Sequence, residues 1–125
     1  MLLCDGQGRA HPRRLGLACH VGLAVDVPTV GCAKSLLVGR PARPLGLGRG
    51  SRAGLMDGRD RVGTVLRTRA GVKPVYVSVG NGIDLASAER WVLAAALRYR
   101  LPEPSRRAHQ EVTAYRKAWF GRGNP

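Results

Sequence analysis

Leu2-Leu3-Cys4-Asp5-Gly6-Gln7-Gly8, running on into His11-Pro12-Arg13-Arg14, is the stretch that decides the fold of this chain. Met1 to Cys4 is a strand-like apolar run that stops abruptly at a carboxylate. Gly6, Gly8 and Pro12 then break regular structure, while Arg9, Arg13 and Arg14 keep the segment solvated, so Asp5 to Arg14 reads as a loop. Helical spacing follows in Leu15 to Val25, where Leu17, Ala18 and Val21 form a stripe that Leu15 and Ala24 extend. Val27-Pro28 ends it, because proline drives the residue before it out of the helical region. Thr29 to Ala33 is short, apolar and rich in β-branched residues, as a buried strand is. Strand, helix and strand in such close succession predict a βαβ unit with a parallel pair, and therefore an α/β domain.

Working outward, Gly39 to Gly58 is rich in Gly, Arg and Pro without periodicity and reads as a long flexible loop. Val62 to Arg67 and Val75 to Val79 have strand composition, with Arg69, Ala70 and Gly71 as a hairpin turn between them. Asp84 is placed to cap a helix running to about Leu97, with Leu85, Ala88, Trp91, Val92 and Ala95 on one face. Pro104 fits the first turn of a last helix from Ser105 to Trp119, and residues 120–125 form a tail.

Charge narrows the function classes. The 21 Lys plus Arg against 8 Asp plus Glu give a net 21 − 8 = +13 and a pI near 11.3. Such a chain attracts polyanions, of which nucleic acid is the commonest in a cell. With 44% hydrophobic residues and strongly patterned segments, disorder is not expected. No apolar run approaches the roughly 20 residues of a spanning helix, and Asp5 interrupts any signal sequence, so no membrane partner is expected. Cys4, Cys19 and Cys32 are odd in number and lack a Cys-x-x-Cys pair. They read as buried free thiols in a reducing cytoplasm rather than as a disulfide framework. With His11 and His20 they are too widely separated for a structural zinc pattern.

A carboxylate directly after a buried strand sits where open α/β sheets place their ligands. Gly6 and Gly8 beside it remove side-chain bulk, so backbone can approach a base or a phosphate. His11, Arg13 and Arg14 supply donors for phosphate oxygens. The residues alone thus describe either a metal-and-phosphate site or an Asp capping a Gly-rich turn with solvated basic neighbours.

The stretch from Asp5 to Ala18 resembles the central signature of endonuclease V, and so does Pro28-Thr29-Val30-Gly31-Cys32-Ala33-Lys34. Pro74-Val75-Tyr76-Val77-Ser78-Val79-Gly80 and the block from Tyr99 to His109, which begins Tyr99-Arg100-Leu101-Pro102-Glu103-Pro104, follow in the family's order. The resemblance runs to about Arg116, with a gap across the Gly/Arg loop. It implies a ribonuclease H-like fold, a mixed sheet flanked by helices. It also implies hydrolysis of the second phosphodiester bond 3′ to a deaminated base, chiefly the hypoxanthine of inosine or deoxyinosine, in DNA or RNA. The metal would be Mg2+, with Mn2+ possible, and no small-molecule cofactor is implied. On this resemblance Asp5 is a metal ligand, Lys34 reaches a phosphate, and His109 orients or deprotonates the attacking water. His11 contacts the phosphate backbone or buttresses the site, Arg13 donates to phosphate, and Gly6, Gly8 and Gly16 line the pocket for the flipped base.

The chain departs from the family pattern in three places. Endonuclease V supplies two further carboxylates, one on an early strand and one on an early helix, ahead of the Asp-Gly motif. Asp26, Asp57, Asp60, Glu103 and Glu111 do not replace them. The expectation is that residues 1–125 are the C-terminal part of a single domain whose first strands are missing, from an incomplete gene product or a misplaced start codon. Little nuclease activity of its own is then expected, since one carboxylate binds magnesium poorly. The first strand should also show an unpaired edge. Asn81 stands where the family commonly has His, and Gly46, Gly48 and Gly50 lack the Gly-Lys-Ser/Thr ending of a phosphate cradle. The alternative function is a non-catalytic, basic nucleic-acid-binding remnant.

Overall fold

The computed structural model describes residues 1–96; the expected last helix, its Pro104, the 120–125 tail and His109 lie outside the described residues. The elements are β1 (Leu2–Cys4), α1 (Leu17–Val25), β2 (Thr29–Ala33), β3 (Arg40–Pro41), β4 (Arg52–Asp57), β5 (Asp60–Leu66), β6 (Val75–Asn81) and α2 (Leu85–Ala95). The strands form one sheet in the order β1-β2-β6-β5-β4-β3. β1 lies parallel to β2, with Leu2 opposite Thr29 and Cys4 opposite Gly31, and the other pairings are antiparallel. The expected βαβ unit therefore forms, inside a mixed sheet. β1 pairs with β2 alone among the described residues, and Leu2 is exposed, as expected of an outer strand.

Alternation along β2 and β6 separates the two faces. Val30, Cys32, Val75 and Val77 point to one side, where they pack with Leu66 and with Ala88 and Val92 of α2. Each such fully buried aliphatic side chain contributes about 1.5–3 kcal/mol. Thr29 and Gly31 point to the other side, towards α1 and the Asp5–Arg14 loop: Thr29 Oγ1 donates to Ala18 O at 2.7 Å. A second cluster, Ala10 with Leu55, Val62 and Val65, joins that loop to β4 and β5. No helix among the described residues is long and apolar enough to cross a membrane.

Three expectations are corrected. Residues 39–58 are not all loop: β3 and β4 lie within them, and the two-residue connection Gly58-Arg59 turns β4 into β5 with Gly58 at φ 62°. Of the expected α1 stripe Ala18 is fully buried and Val21 half-buried, but Leu15, Leu17 and Ala24 are exposed; Cys19 and Gly22 complete the buried face instead. The helix lies too close for larger groups: a Cβ on Gly22 would stand 2.6 Å from Thr29 Oγ1. In α2, Trp91 is 56% exposed and Glu89 is buried instead. At about 100° per residue, Trp91 lies roughly 100° from the centre of the face carrying Ala88, Glu89 and Val92.

Asp84 caps α2 as expected, accepting from the Ser87 backbone N–H at 2.7 Å. α1 closes on Asp26 in the left-handed conformation (φ 53°), whose N–H bonds Gly22 O, one residue before Val27-Pro28.

Candidate active site

Parallel pairing of β1 and β2 sets Cys4 beside Gly31, so Asp5 and Lys34 both leave the sheet just past the C-terminal ends of neighbouring strands. Both are exposed. Gln7 fixes the loop against the segment that follows Lys34, its Nε2 donating to Ser35 O at 2.9 Å. The topology thus places two of the three residues expected to act on the scissile phosphate past the same ends of neighbouring strands.

From Asp5 the loop crosses the sheet over β2 and β6. Crossing is close because β2 carries glycine at the contact: a Cβ on Gly31 would stand 2.7 Å from Gly6 O and closer still to Gly8 N. Over β6 the backbone is held by Gly8 N donating to Ser78 Oγ (2.8 Å) and Arg9 N donating to Val79 O (2.9 Å). The loop then returns to α1: Gly16 N donates to Gly8 O, and Ala18 N, one of the helix's orphan donors, bonds Gln7 O at 3.0 Å. Gly8 and Gly16 are buried against backbone, Gly8 on Val79 and Gly16 on the Gln7 and Gly8 carbonyls. Gly6 meets only the Leu17 side chain, at 3.4 Å.

A cavity of about 420 Å³ opens on this face, lined among others by Gln7, His11, Arg13, Gly16, Leu17 and Leu37. Three expected substrate-binding residues, His11, Arg13 and Gly16, therefore share one cavity. His11 also braces its own turn, Nδ1 accepting the Arg13 backbone N–H at 3.1 Å. Of the basic side chains in the motif, Arg14 is committed elsewhere. Its Nη2 bridges Asp57 (2.9 Å) and Asp60 (3.1 Å) beside the β4–β5 turn, and its Nη1 donates to His11 O at 3.0 Å. Asp60 first, then Asp57, raise the affinity of its guanidinium for its proton still further. Arg14 itself is left-handed (φ 57°), a strained setting for a side-chain-bearing residue.

Sequence reasoning missed Gln7, Ser78 and the Arg14 bridge, which place the loop, and the buried Glu89. Glu89 accepts from Thr64 Oγ1, Arg52 Nη1 (3.0 Å) and Arg61 Nη2 (3.5 Å). The Asp57-Gly58 dipeptide was the available signal for the hairpin that receives Arg14. Asn81 plays a structural part, its Nδ2 donating to Val27 O (3.2 Å) and Gly22 O (3.4 Å) and so closing the end of α1.

Cys19 and Cys32 are buried and Cys4 half-buried, all three as free thiols. Burial pushes the Cys4 and Cys19 thiols up, which keeps them protonated and unreactive. Among the described residues no three His, Cys, Asp or Glu side chains come together to hold a metal ion.

The endonuclease V family model matches residues 1–110 of this chain. Endonuclease V of Myxococcus xanthus is 55% identical over 118 residues, which are 94% of this chain and 50% of that protein. The solved structure of endonuclease V from Bacillus subtilis superposes with a TM-score of 0.91 at 30% identity, covering 97% of this chain and 53% of that one. Endonuclease V of Ciona intestinalis, solved in complex with a 24mer DNA containing an inosine followed by a ribo-adenosine, gives 0.77 at 25% identity over 94% of this chain and 55% of that one. The chain spans about half the length of the curated relatives it matches. The helix-flanked mixed sheet is the ribonuclease H-like sheet of those structures.

Proposed function

Because the chain belongs to the endonuclease V family, we propose that it provides part of the substrate and catalytic surface of a metal-dependent repair endonuclease. The reaction is hydrolysis of the second phosphodiester bond 3′ to a deaminated base, inosine or deoxyinosine, in DNA or RNA, in the cytoplasm. The observation that carries this reading is the exit of Asp5 and Lys34 at matching ends of two parallel strands, beside a cavity holding His11, Arg13 and Gly16. The inosine-containing DNA bound by the Ciona intestinalis relative supports the choice of lesion.

Asp5 offers a hard, exposed oxygen donor that suits Mg2+ or Mn2+. It is one ligand only, and the described residues do not complete a cation site around it. A divalent ion supplies charge neutralisation at the phosphate and a more acidic water. Lys34 offsets negative charge on the phosphoryl oxygens. Arg13 donates to a flanking phosphate, and His109 holds or accepts a proton of the attacking water. Gly6, which meets only the Leu17 side chain, leaves room for an extruded base, while Gly16 brings bare backbone to the cavity wall.

The absence of a second carboxylate beside Asp5 among the described residues favours a second reading, in which this polypeptide binds nucleic acid and cleaves it weakly or not at all. Nicking of an inosine-containing oligonucleotide with magnesium, by the chain and by Asp5→Ala, separates the two. Asp5→Ala should abolish any cleavage and leave binding within about twofold, since one exposed carboxylate adds nothing to phosphate attraction. Cleavage that survives Asp5→Ala would overturn the metal role of Asp5. Robust inosine-specific nicking by the chain alone would overturn the expectation of weak activity.

A further inference from the structure

The fold divides the basic residues of the described region into two groups. Most have internal partners. Arg43 donates to Arg52 O, Arg49 to Leu93 O and Arg67 to Gly46 O, while Arg52 and Arg61 hold Glu89 and Arg90 holds Ser87. Lys34, Arg69 and Lys73 also have partners. Arg9, Arg13, Arg40 and Arg59 are exposed and carry no side-chain hydrogen bond or ion pair among the described residues.

These four are not scattered. Arg59 occupies the turn between β4 and β5, and Arg40 pairs with Met56 one residue before that turn's flanking Asp57. Arg13 adjoins Arg14, whose guanidinium grips Asp57 and Asp60 on either side of the turn. Arg9 lines a smaller cavity with Arg61, Val62 and Val79, at the same end of β5 and β6. Acidic neighbours do not cancel the charge: Arg9, Arg13, Arg14, Arg40 and Arg59 against Asp57, Asp60 and Asp84, which lines the Arg9 cavity, leave 5 − 3 = +2. A groove of about 440 Å³ runs beside the turn, lined by Gly39, Arg40, Pro41, Met56, Asp57 and Gly58. A Cβ on Gly58 would meet nothing within 4 Å, so backbone is open to a close-approaching ligand there.

We infer that the tip of the β4–β5 hairpin, with Arg40 and Arg59 as its contacts, is a second nucleic-acid surface that holds backbone phosphates of the duplex flanking the cavity. The inference rests on the nucleic-acid reading above and adds a sequence-independent anchor at the end of the sheet away from Lys34. β6 separates the two ends with seven residues. At ~3.3 Å per residue that is roughly 20 Å, the rise of about six base pairs. Arg14 is the strut: it joins the anchor to the loop that carries His11 and Arg13, and it neutralises the carboxylates that would repel phosphate.

The test is anisotropy of a fluorescein-labelled, inosine-containing duplex titrated with the full chain at 50 and 200 mM salt. Arg40→Gln/Arg59→Gln is compared with Arg49→Gln/Arg90→Gln, which removes the same charge from residues near or on α2. The hairpin pair lack internal partners, so a matching circular dichroism spectrum is expected. The salt slope of the hairpin variant should be shallower by about two, roughly one per lost phosphate contact. Its deficit against the parent should be about tenfold larger at 50 than at 200 mM. The control should keep the parent slope. A hairpin variant with the parent slope, or equal loss in both doubles, overturns the inference while leaving the proposed function standing. A parent that binds no oligonucleotide overturns both. If the hairpin variant instead loses only binding to phosphatidylserine vesicles, the surface is a lipid contact and the inference fails.

Discussion

Replacing Gly8 by alanine tests whether the Asp-Gly loop is held by packing or shaped for a ligand. A Cβ there would stand 2.7 Å from the Val79 carbonyl carbon and 3.1 Å from Gly80 N, and closer still to Val79 O. Ordinary contact begins at 3.4 Å, so the loop must retreat by at least 3.4 − 2.7 = 0.7 Å. The same movement stretches Gly8 N···Ser78 Oγ from 2.8 towards 3.5 Å and Arg9 N···Val79 O from 2.9 towards 3.6 Å. Overpacking costs about 1–3 kcal/mol, and two weakened hydrogen bonds add up to about 1 kcal/mol each, so a total near 2–4 kcal/mol is expected. With a urea slope of about 1–3 kcal/mol per molar, the midpoint should fall by roughly 1–2 M. Gly6→Ala is the contrast: its Cβ meets only Leu17 side-chain atoms at 3.4 and 3.6 Å. Its stability should stay within about 0.5 kcal/mol of the parent, while any loss of oligonucleotide affinity reports on the proposed ligand side of the loop. Urea unfolding followed by circular dichroism, alongside oligonucleotide binding, reads both effects. An unchanged midpoint for Gly8→Ala with collapsed binding would refute the packing argument and give Gly8 to the ligand pocket.

Two further predictions concern α2. Glu89→Ala removes the acceptor of the fully buried Thr64 hydroxyl and of two half-exposed guanidinium groups. After discounting the exposed arginines for solvent screening it should cost about 2–4 kcal/mol, with Glu89→Gln costing less; urea midpoints equal to the parent would contradict this. Asp84 is the pH probe: the Ser87 backbone N–H and then its hydroxyl stabilise the ionised carboxylate, holding its pKa below the ordinary 3.8. A depressed folded-state pKa means stability that is present above 3.8 and lost as pH falls through the lowered value. The destabilisation by Asp84→Ala should therefore be full at neutral pH and shrink in acid, and a deficit that stays constant down to the lowest pH at which the chain folds would count against the cap.

Local pattern carried much of the fold. The strand–helix–strand order of residues 2–33, the β6 run beginning at Val75 and the Asp84 cap all follow from neighbours within a few positions, where propensity and turn chemistry act. Arg52 to Asp57 was harder to read, because its Gly and Arg content hides a strand that is stabilised only by pairing with β5. The buried faces of the helices were legible only in part for a related reason: Ala18, Ala88 and Val92 are buried as expected, while Leu17 and Trp91 are not. Hydrophobicity says which residues could be buried, but the distance between α1 and the sheet decided that Ala18, Cys19 and Gly22 would be, leaving Leu17 and Leu23 outside.

The site divides in the same way. By itself the sequence determined the chemical inventory, with a carboxylate after β1, a lysine after β2, glycines without bulk and an excess of arginine, because these are matters of residue type and spacing. Only the tertiary structure decided which arginines are left to line the cavity. Arg13 and Arg14 are adjacent and chemically identical, yet one lines the cavity and the other is locked between Asp57 and Asp60. Those partners lie more than forty residues away, and Coulomb attraction depends on distance in space rather than along the chain.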